Sequence, residues 1–237
     1  MGMPVSIHLR GPDVRGAEAE RAVASAYAEL VRLDAVFSTY RPDSDISRRR
    51  RGETVPGGED PLLAEVEELC GVATERTRGA FTAWLPDADG VVRYDPTGLV
   101  KGWAVDRAAL ELTGLPATAW AVNAGGDVLV GRHAHVTPEG ADAAPWRIGV
   151  EDPRDRSRMV AVVPLTTGAL ATSGTAARGA HLFDPVTRQM VDRVGSTTVV
   201  ADTLLWADVW ATALFVGGDD AREAFSRNAP GAQTFAA

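Results

Sequence analysis

Short strand-like segments separated by turns fill most of the second half of this chain, and they restrict the folds that it can adopt. These segments lie at residues 120–122, 128–130, 146–150, 159–165, 170–172, 181–183 and 197–200. Near the start, Val5, Ile7 and Leu9 alternate with polar residues, and this period of two is typical of a half-buried strand. The sequence therefore predicts that sheets form a large part of the structure.

Helical patterns flank these strands. The longest runs from residue 17 to residue 37. Its predicted apolar stripe consists of Val23, Tyr27, Leu30, Val31 and Phe37. Further helices are predicted over residues 60–79, 101–114 and 202–216, with capping residues or glycines at their ends. The sequence therefore predicts a strand-rich second half flanked by helices.

The chain is acidic, with 237 residues and a formal net charge of −8. This charge argues against nucleic acid as a partner, because phosphate backbones are bound by basic faces. The one dense basic run, residues 48–51, is predicted to be a solvated loop, with an anion contact as the alternative. After residue 230 the tail is predicted to be frayed.

The length suits one large domain or two small lobes. No run of 18 apolar residues is present, so we expect no membrane span. No secretory signal is visible, which makes the cytoplasm the expected location.

Cys70 is the one cysteine, so no disulfide can form within the chain. Its helical core spacing argues against a role as a metal ligand or nucleophile.

The segment at residues 168–185 is the first candidate for a binding site. Its small and hydroxyl residues allow a backbone to approach a ligand closely. Arg178, His181 and Asp184 follow on the same segment. A moderately polar loop between two strands is the alternative interpretation.

Lys101, the only lysine, lies in the first turn of a predicted helix. A cation there opposes the helix dipole, so one interpretation is a side chain that extends into water. The other is a phosphate held jointly by Lys101 and the free amide groups of the helix start. The turn at residues 123–127, NAGGD, is predicted to be a hairpin, with a phosphate cradle as the alternative.

Asp208 and Thr212 are four residues apart in the last predicted helix and therefore share one face. Their neighbours are apolar, and a buried carboxylate needs a partner. One solution is a local hydrogen bond within the helix. The other is a hard cation such as Mg²⁺, which prefers oxygen ligands.

A series of ordered motifs then resembles one known family, the ApbE family of FAD:protein FMN transferases. The motifs cover residues 1–220 almost from end to end. They are MGMPVSI, FSTYRPDSDIS, GAF, DPTGLVKGWAVD, VNAGGDV, ATSGTAARGAHLFDP, STTVVA and ADVWATALFVGG. Each motif is weak alone, and the complete set in this order is specific.

The resemblance implies both a fold and an activity. The implied fold is α+β, a single domain over residues 1–237 with two related lobes of mostly antiparallel sheet, flanking helices and a flavin cleft between the lobes. The implied activity is Mg²⁺-dependent cleavage of the FAD pyrophosphate. FMN would move to a threonine or serine hydroxyl of an acceptor flavoprotein, and AMP would be released.

The resemblance also assigns residues by position. The implied metal ligands are Asp208, Thr212 and a backbone carbonyl near Val100. The implied FAD contacts are Met1, Tyr40, Ala80, Phe81, Thr82, Thr97, Lys101, His181 and Leu182. For the mechanism we expect Lys101 to hold phosphate charge and Asp208 to hold the metal. His181 is the candidate for proton transfer or substrate orientation, with a purely structural strand histidine as the alternative. Asp184 would orient His181 or cap the next turn.

The sequence departs from the family pattern at several positions. Met3 replaces a threonine, and Thr82 stands where many members have aspartate. Arg49 and Arg50 fall where an asparagine is common, and residues 176–177 replace a tyrosine-glutamate pair. These departures leave a second function open, a carrier that binds FAD without transferring FMN. A serine hydrolase using Ser173 and His181 is a third, although the sequence lacks a G-x-S-x-G elbow.

Overall fold

The structure is a computed structural model that describes residues 2–55, 57–86, 89–133, 144–175, 182–185, 187 and 189–237. The first half contains β1 (Val5–Arg10), α1 (Ala17–Phe37), α2 (Asp45–Arg50), α3 (Leu62–Arg76), β2 (Trp84–Pro86), β3 (Val92–Tyr94) and α4 (Thr97–Ala109), which continues as a short 3-10 helix (Leu110–Leu112). The second half contains β4 (Ala119–Ala124), β5 (Asp127–Arg132), β6 (Trp146–Asp152), β7 (Asp155–Leu165), β8 (Gly168–Gly174), β9 (Phe183–Asp184), β10 (Gln189–Met190), β11 (Ser196–Ala201), α5 (Leu204–Val216), α6 (Gly218–Asn228) and β12 (Gln233–Ala236).

One six-stranded sheet organises these elements, in the order β1-β4-β5-β8-β11-β12. All of its neighbouring strands are antiparallel. Three further antiparallel pairs are β2 with β3, β6 with β7, and β9 with β10. The predicted α+β class, with antiparallel sheets and flanking helices, is confirmed. The hairpin predicted at NAGGD is confirmed as well, because Ala124 pairs with Asp127 across the turn.

The two faces of the six-stranded sheet are covered differently. Helices pack on one face, where Val122, Ala171 and Val199 join the larger core. The β6–β7 hairpin packs on the other face, against Val130 and Leu170. Because side chains alternate along a strand, successive residues of β8 pack alternately into the two cores.

The helix α5 lies at the centre of the larger core. Eleven of its 13 residues are buried, so it is apolar on all sides rather than on one stripe. The Thr203 hydroxyl caps its start by accepting a hydrogen bond from the Trp206 amide. Asp208 is the charged exception, with only 4% of its surface exposed. A carboxylate in that position requires compensating charges nearby.

The helices α4 and α5 are in close contact, and this contact positions the candidate site. A Cβ atom on Gly102 would lie 2.7 Å from the Leu204 carbonyl oxygen, so only glycine permits this approach. Beside it, the Asp106 carboxylate accepts hydrogen bonds from the Leu204 and Leu205 amides, both at 2.8 Å. Amides at the start of a helix have no hydrogen-bond partner within that helix. Asp106 supplies the partner for two of them, so α4 caps α5. Residues 100–101 are thereby brought to residues 208–212.

Two local predictions were wrong, and a third was correct only in part. In α1 the buried side comprises Ala26, Leu30, Leu33, Val36 and Phe37, whereas Tyr27 and Val31 are exposed. The helix carries apolar residues on more than one side, and only packing decides which side is buried.

The basic run at residues 48–51 is not a loop. Arg48, Arg49 and Arg50 form the end of α2, whose start is capped by the Ser44 hydroxyl. Arginine side chains near a helix C-terminus interact favourably with its dipole. The tail is not frayed either, because β12 pairs with β11 and extends the sheet.

The Asp106 carboxyl provides a prediction about pH. Burial raises the pKa of Asp106 to about 6, despite the two amide donors. Between pH 4 and pH 6 the folded chain then binds more protons than the unfolded chain, so the contribution of this group to stability falls as pH rises. We expect the unfolding free energy of the protein, relative to Asp106→Asn, to fall by about 2 kcal/mol between pH 4 and pH 7. Urea unfolding of both proteins across this range measures the difference, and a constant difference would contradict the assignment.

Candidate active site

A cleft of about 490 Å³ lies where α4, α5 and the ends of β5 and β8 meet. The segments that follow α1 and α3 close its other sides. Its lining includes Met3, Tyr40, Ala80, Phe81, Thr82, Asp95, Thr97, Val100, Lys101, Asp127, Ser173, Leu182, Asp208 and Thr212. A cleft of this size with mixed apolar and polar walls is typical of a cofactor or substrate site.

Lys101 lies between two carboxylates in this cleft. Its Nζ atom is 3.1 Å from Asp208 Oδ1, and it donates a hydrogen bond to Asp127 Oδ2. Burial alone would lower the pKa of Lys101, but the carboxylates of Asp208 and Asp127 outweigh burial and hold that pKa above its usual value. The ammonium group is therefore charged. Lys101 lies in the second turn of α4, and not in the first turn as predicted.

This arrangement corrects the interpretation of Lys101 as a side chain extending into water. The side chain is only 19% exposed. Lys101 is also not an isolated cation, because it forms ion pairs with two carboxylates. Its first effect is to hold Asp127 and Asp208 close together.

Asp127 is the residue of this cluster that sequence reasoning missed. It is 3% exposed, and its Oδ1 accepts a hydrogen bond from the Thr172 amide at 2.9 Å. The NAGGD motif predicts a hairpin, and that prediction gives no separate role to the carboxylate at its end. A buried strand that begins with an acidic residue was the available signal.

Thr212 and Ser173 form a second polar contact on the same wall. Their hydroxyl oxygens are 2.8 Å apart. They come from α5 and β8, which pack directly against each other. The hydroxyl of Ser173 therefore interacts with a threonine. His181, its partner in the serine hydrolase hypothesis, lies outside the described residues.

The structure brings together most of the residues to which the resemblance assigned FAD contacts. Ala80, Phe81 and Thr82 lie between α3 and β2, and Tyr40 lies after α1 with 84% of its surface exposed. Thr97 and Leu182 complete this group, and all of them line the cleft. Met1 and His181 lie outside the described residues. Asp184 caps the following turn by accepting a hydrogen bond from the Thr187 amide.

The departures from the family pattern fall into two groups. Met3 and Thr82 line the cleft, so they can affect what it binds. Arg49 and Arg50 form ion pairs with Glu67 at 2.7 Å and Asp95 at 2.9 Å. Asp95 in turn accepts a hydrogen bond from the Thr97 amide at the start of α4. Residues 176–177 lie outside the described part of the chain.

The donor atoms of the cleft fit a hard cation. Val100, Asp208 and Thr212 all line it and can offer a carbonyl, a carboxylate and a hydroxyl oxygen. Among the described residues, no group of three or more His, Cys, Asp or Glu side chains forms a metal site. Mg²⁺ suits a small oxygen set of this kind, because it retains waters and often binds substrate phosphates.

The charge of the cleft also favours a cation. Its described lining contains three carboxylates, Asp95, Asp127 and Asp208, and one ammonium group, Lys101. An anionic diphosphate entering this cleft would meet a net negative wall and be repelled. A divalent cation would remove that repulsion.

Across the part of the chain that the structure describes, no helix has both the length and the apolar character needed to cross a membrane. Even the apolar helix α5 has only 13 residues, which is short for a span.

Comparisons with known proteins indicate one family. A sequence model of the ApbE family matches residues 83–235. The FAD:protein FMN transferase of Haemophilus influenzae is 29% identical over 221 residues, which cover 83% of this chain and 60% of the relative. The FAD:protein FMN transferase of Rhodobacter capsulatus is 34% identical over 139 residues, which cover 54% of this chain and 25% of the relative. The chain thus spans less than two thirds of the length of either relative.

Solved structures share the fold. The ApbE protein of Thermotoga maritima matches with a TM-score of 0.75 and 23% identity, over 99% of this chain and 91% of that one. The flavinyl transferase ApbE of Pseudomonas stutzeri matches with a TM-score of 0.72 and 21% identity, over the same shares. These likenesses support the α+β architecture with its antiparallel sheets.

Proposed function

This chain belongs to the ApbE family, and we propose that it is an FAD:protein FMN transferase. In the proposed reaction, FAD is cleaved at its pyrophosphate in the presence of Mg²⁺. FMN is transferred to a threonine or serine hydroxyl of an acceptor flavoprotein, and AMP is released. We further propose that residues 1–237 act as one domain. The names of the relatives support the reaction class.

One observation carries the proposal. Asp208, Thr212 and Val100 line a single cleft, although they come from two helices about 100 residues apart in the chain. The same cleft is lined by Phe81 and Leu182, which offer apolar surface for a flavin ring. A hard-cation site beside such a surface is what cleavage of a flavin diphosphate requires.

Each residue has a proposed role in that reaction. Asp208, Thr212 and the carbonyl of Val100 would hold Mg²⁺. The ion, when bound, would neutralise phosphate charge and act as a Lewis acid. Lys101 would fix Asp208 and add positive charge beside the phosphates. Tyr40, Ala80, Phe81, Thr82, Thr97 and Leu182 would contact FAD, and the assignments of Met1 and His181 stay predictions.

The bond changes balance without any further reactant. The acceptor hydroxyl oxygen would attack the FMN-side phosphorus, and the bond from that phosphorus to the bridging oxygen would break. AMP would leave with the bond electrons. The hydroxyl proton would pass to a base, for which His181 is the candidate because its ordinary pKa lies near neutrality.

The proposal can be tested with purified protein, FAD, Mg²⁺ and a panel of candidate acceptor domains. We expect an acceptor whose mass increases by one FMN, equimolar AMP, and loss of both signals on adding EDTA. If FAD binds but neither AMP nor a modified acceptor is formed, the alternative of an FAD carrier is favoured. Met3 and Thr82, two departures from the family pattern, line the cleft and are compatible with that alternative. Acceptor modification that persists in EDTA would contradict the metal assignment.

A further inference from the structure

Residues of the six-stranded sheet act on both side chains that we assign to the metal, directly on one and through Lys101 on the other. Thr212 of α5 contacts Ser173 of β8. Asp208 of α5 contacts Lys101 of α4, which donates a hydrogen bond to Asp127 of β5. Neither of these sheet neighbours, Asp127 and Ser173, was assigned a metal or flavin role by the resemblance. These neighbours can determine the orientation of the Asp208 and Thr212 side chains.

The first neighbour acts on Asp208 through Lys101. The Thr172 amide donates to Asp127 Oδ1, and Asp127 Oδ2 accepts from Lys101. The same Lys101 ammonium group is 3.1 Å from Asp208 Oδ1. A backbone amide of β8 thus fixes Asp127, Asp127 fixes Lys101, and Lys101 fixes one oxygen of Asp208. This chain of contacts restricts the carboxylate to one orientation.

The second neighbour acts on Thr212 directly. The Thr212 and Ser173 oxygens are 2.8 Å apart, and either can be the donor. A cation on the Thr212 oxygen needs a lone pair, so the hydroxyl proton has to point elsewhere. Ser173 Oγ is an acceptor for that proton. Ser173 is also only 8% exposed, so water cannot easily replace it.

We propose that Asp127 and Ser173 are positioning residues for the metal ligands, acting from the sheet on the two side chains that α5 supplies. This inference rests on the proposed function. Partners of this kind orient ligands and commonly change metal affinity by about 10- to 100-fold when removed. Asp127 acts by holding Lys101, and Ser173 acts by accepting the proton of Thr212.

The test measures metal affinity without turnover. Mn²⁺ is titrated into the full chain with FAD but no acceptor, and free Mn²⁺ is followed by electron paramagnetic resonance. We expect Asp127→Asn and Ser173→Ala to raise the Mn²⁺ dissociation constant by about 10- to 100-fold. Thermal unfolding of each variant shows whether it remains folded.

Two matched controls separate positioning from other effects. Thr198→Val removes a similar hydroxyl pair, Thr172 with Thr198 at 2.8 Å, from the opposite face of β8. Asp95→Asn removes one negative charge from the cleft wall, together with the ion pair to Arg50, and leaves the contacts of Lys101 intact. We expect Thr198→Val to change the Mn²⁺ dissociation constant by less than about threefold, and Asp95→Asn to raise it clearly less than Asp127→Asn does.

The outcomes distinguish the inference from the proposed function. If folded Asp127→Asn and Ser173→Ala bind Mn²⁺ like the unmodified protein, while Asp208→Asn does not, the positioning inference is wrong and the metal site stands. If Asp95→Asn weakens binding as much as Asp127→Asn, the effect of Asp127 is only its charge and its positioning role is overturned. If the unmodified protein does not bind Mn²⁺, both the inference and the metal assignment are wrong.

Discussion

Replacing Asp208 with asparagine is expected to lower Mg²⁺-dependent AMP release from FAD by about 10³-fold, which corresponds to about 4 kcal/mol of transition-state stabilisation. Asparagine has the same shape but no charge, so it is a poor ligand for a hard cation. Lys101 keeps Asp127 as a partner, so the cleft should remain formed. The measurement is the initial rate of AMP release across a range of Mg²⁺ concentrations, with thermal unfolding as the check on folding.

A control for charge is available on the neighbouring helix. Asp220→Asn makes the same chemical change at an exposed position of α6 and should leave the rate unchanged. The result that contradicts the assignment is an Asp208→Asn protein that releases AMP at the original rate with the same sensitivity to EDTA. The charged group at residue 208 would then have no part in the reaction.

The second large effect is expected from Gly102→Ala. A Cβ atom at this position would lie 2.7 Å from the Leu204 carbonyl oxygen and 2.8 Å from the Leu205 Cα atom. Both are backbone atoms, which cannot rotate away, so α4 and α5 must separate. We expect the unfolding free energy to fall by about 3 kcal/mol, the upper part of the range for overpacked cores. AMP release should fall as well, because Val100 and Lys101 would move away from Asp208.

The matched control is Gly71→Ala in the middle of α3, where no atom outside the adjacent backbone of the same helix lies within 4 Å of the added Cβ. Alanine favours a helix over glycine, so this variant should gain about 0.5 to 1 kcal/mol. Urea unfolding of both variants gives the comparison. Equal effects of the two substitutions would show that helix propensity, and not the contact with α5, determines the result at residue 102.

The sequence predicted the elements better than their contacts. The bounds of α1 were predicted correctly, and α5 begins two residues later than expected, because local periodicity and capping determine both. The buried side of α1 was predicted only in part, since Tyr27 and Val31 fitted the apolar pattern but face solvent. Periodicity shows that a side is apolar, and packing selects the side that is buried.

The candidate site shows a similar limit. The spacing of Asp208 and Thr212 placed them on one helix face, and the structure puts both in the cleft. Asp127 was missed because its partner, Lys101, is 26 residues away and meets it only after β5 and α4 have come together. No local pattern reports such a contact. Val100 and the FAD contacts were predicted from the family resemblance, because the spacing of residues does not indicate them.

The capping of α5 by Asp106 has a consequence for the order of events during synthesis. The α4 residues leave the ribosome about 100 residues before their α5 counterparts, and the α5 amides that Asp106 accepts do not yet exist. A nascent chain that stops before residue 208 contains only Val100 of the three residues that we propose as metal ligands. The cleft between α4 and α5 can therefore form only after α5 has been synthesised.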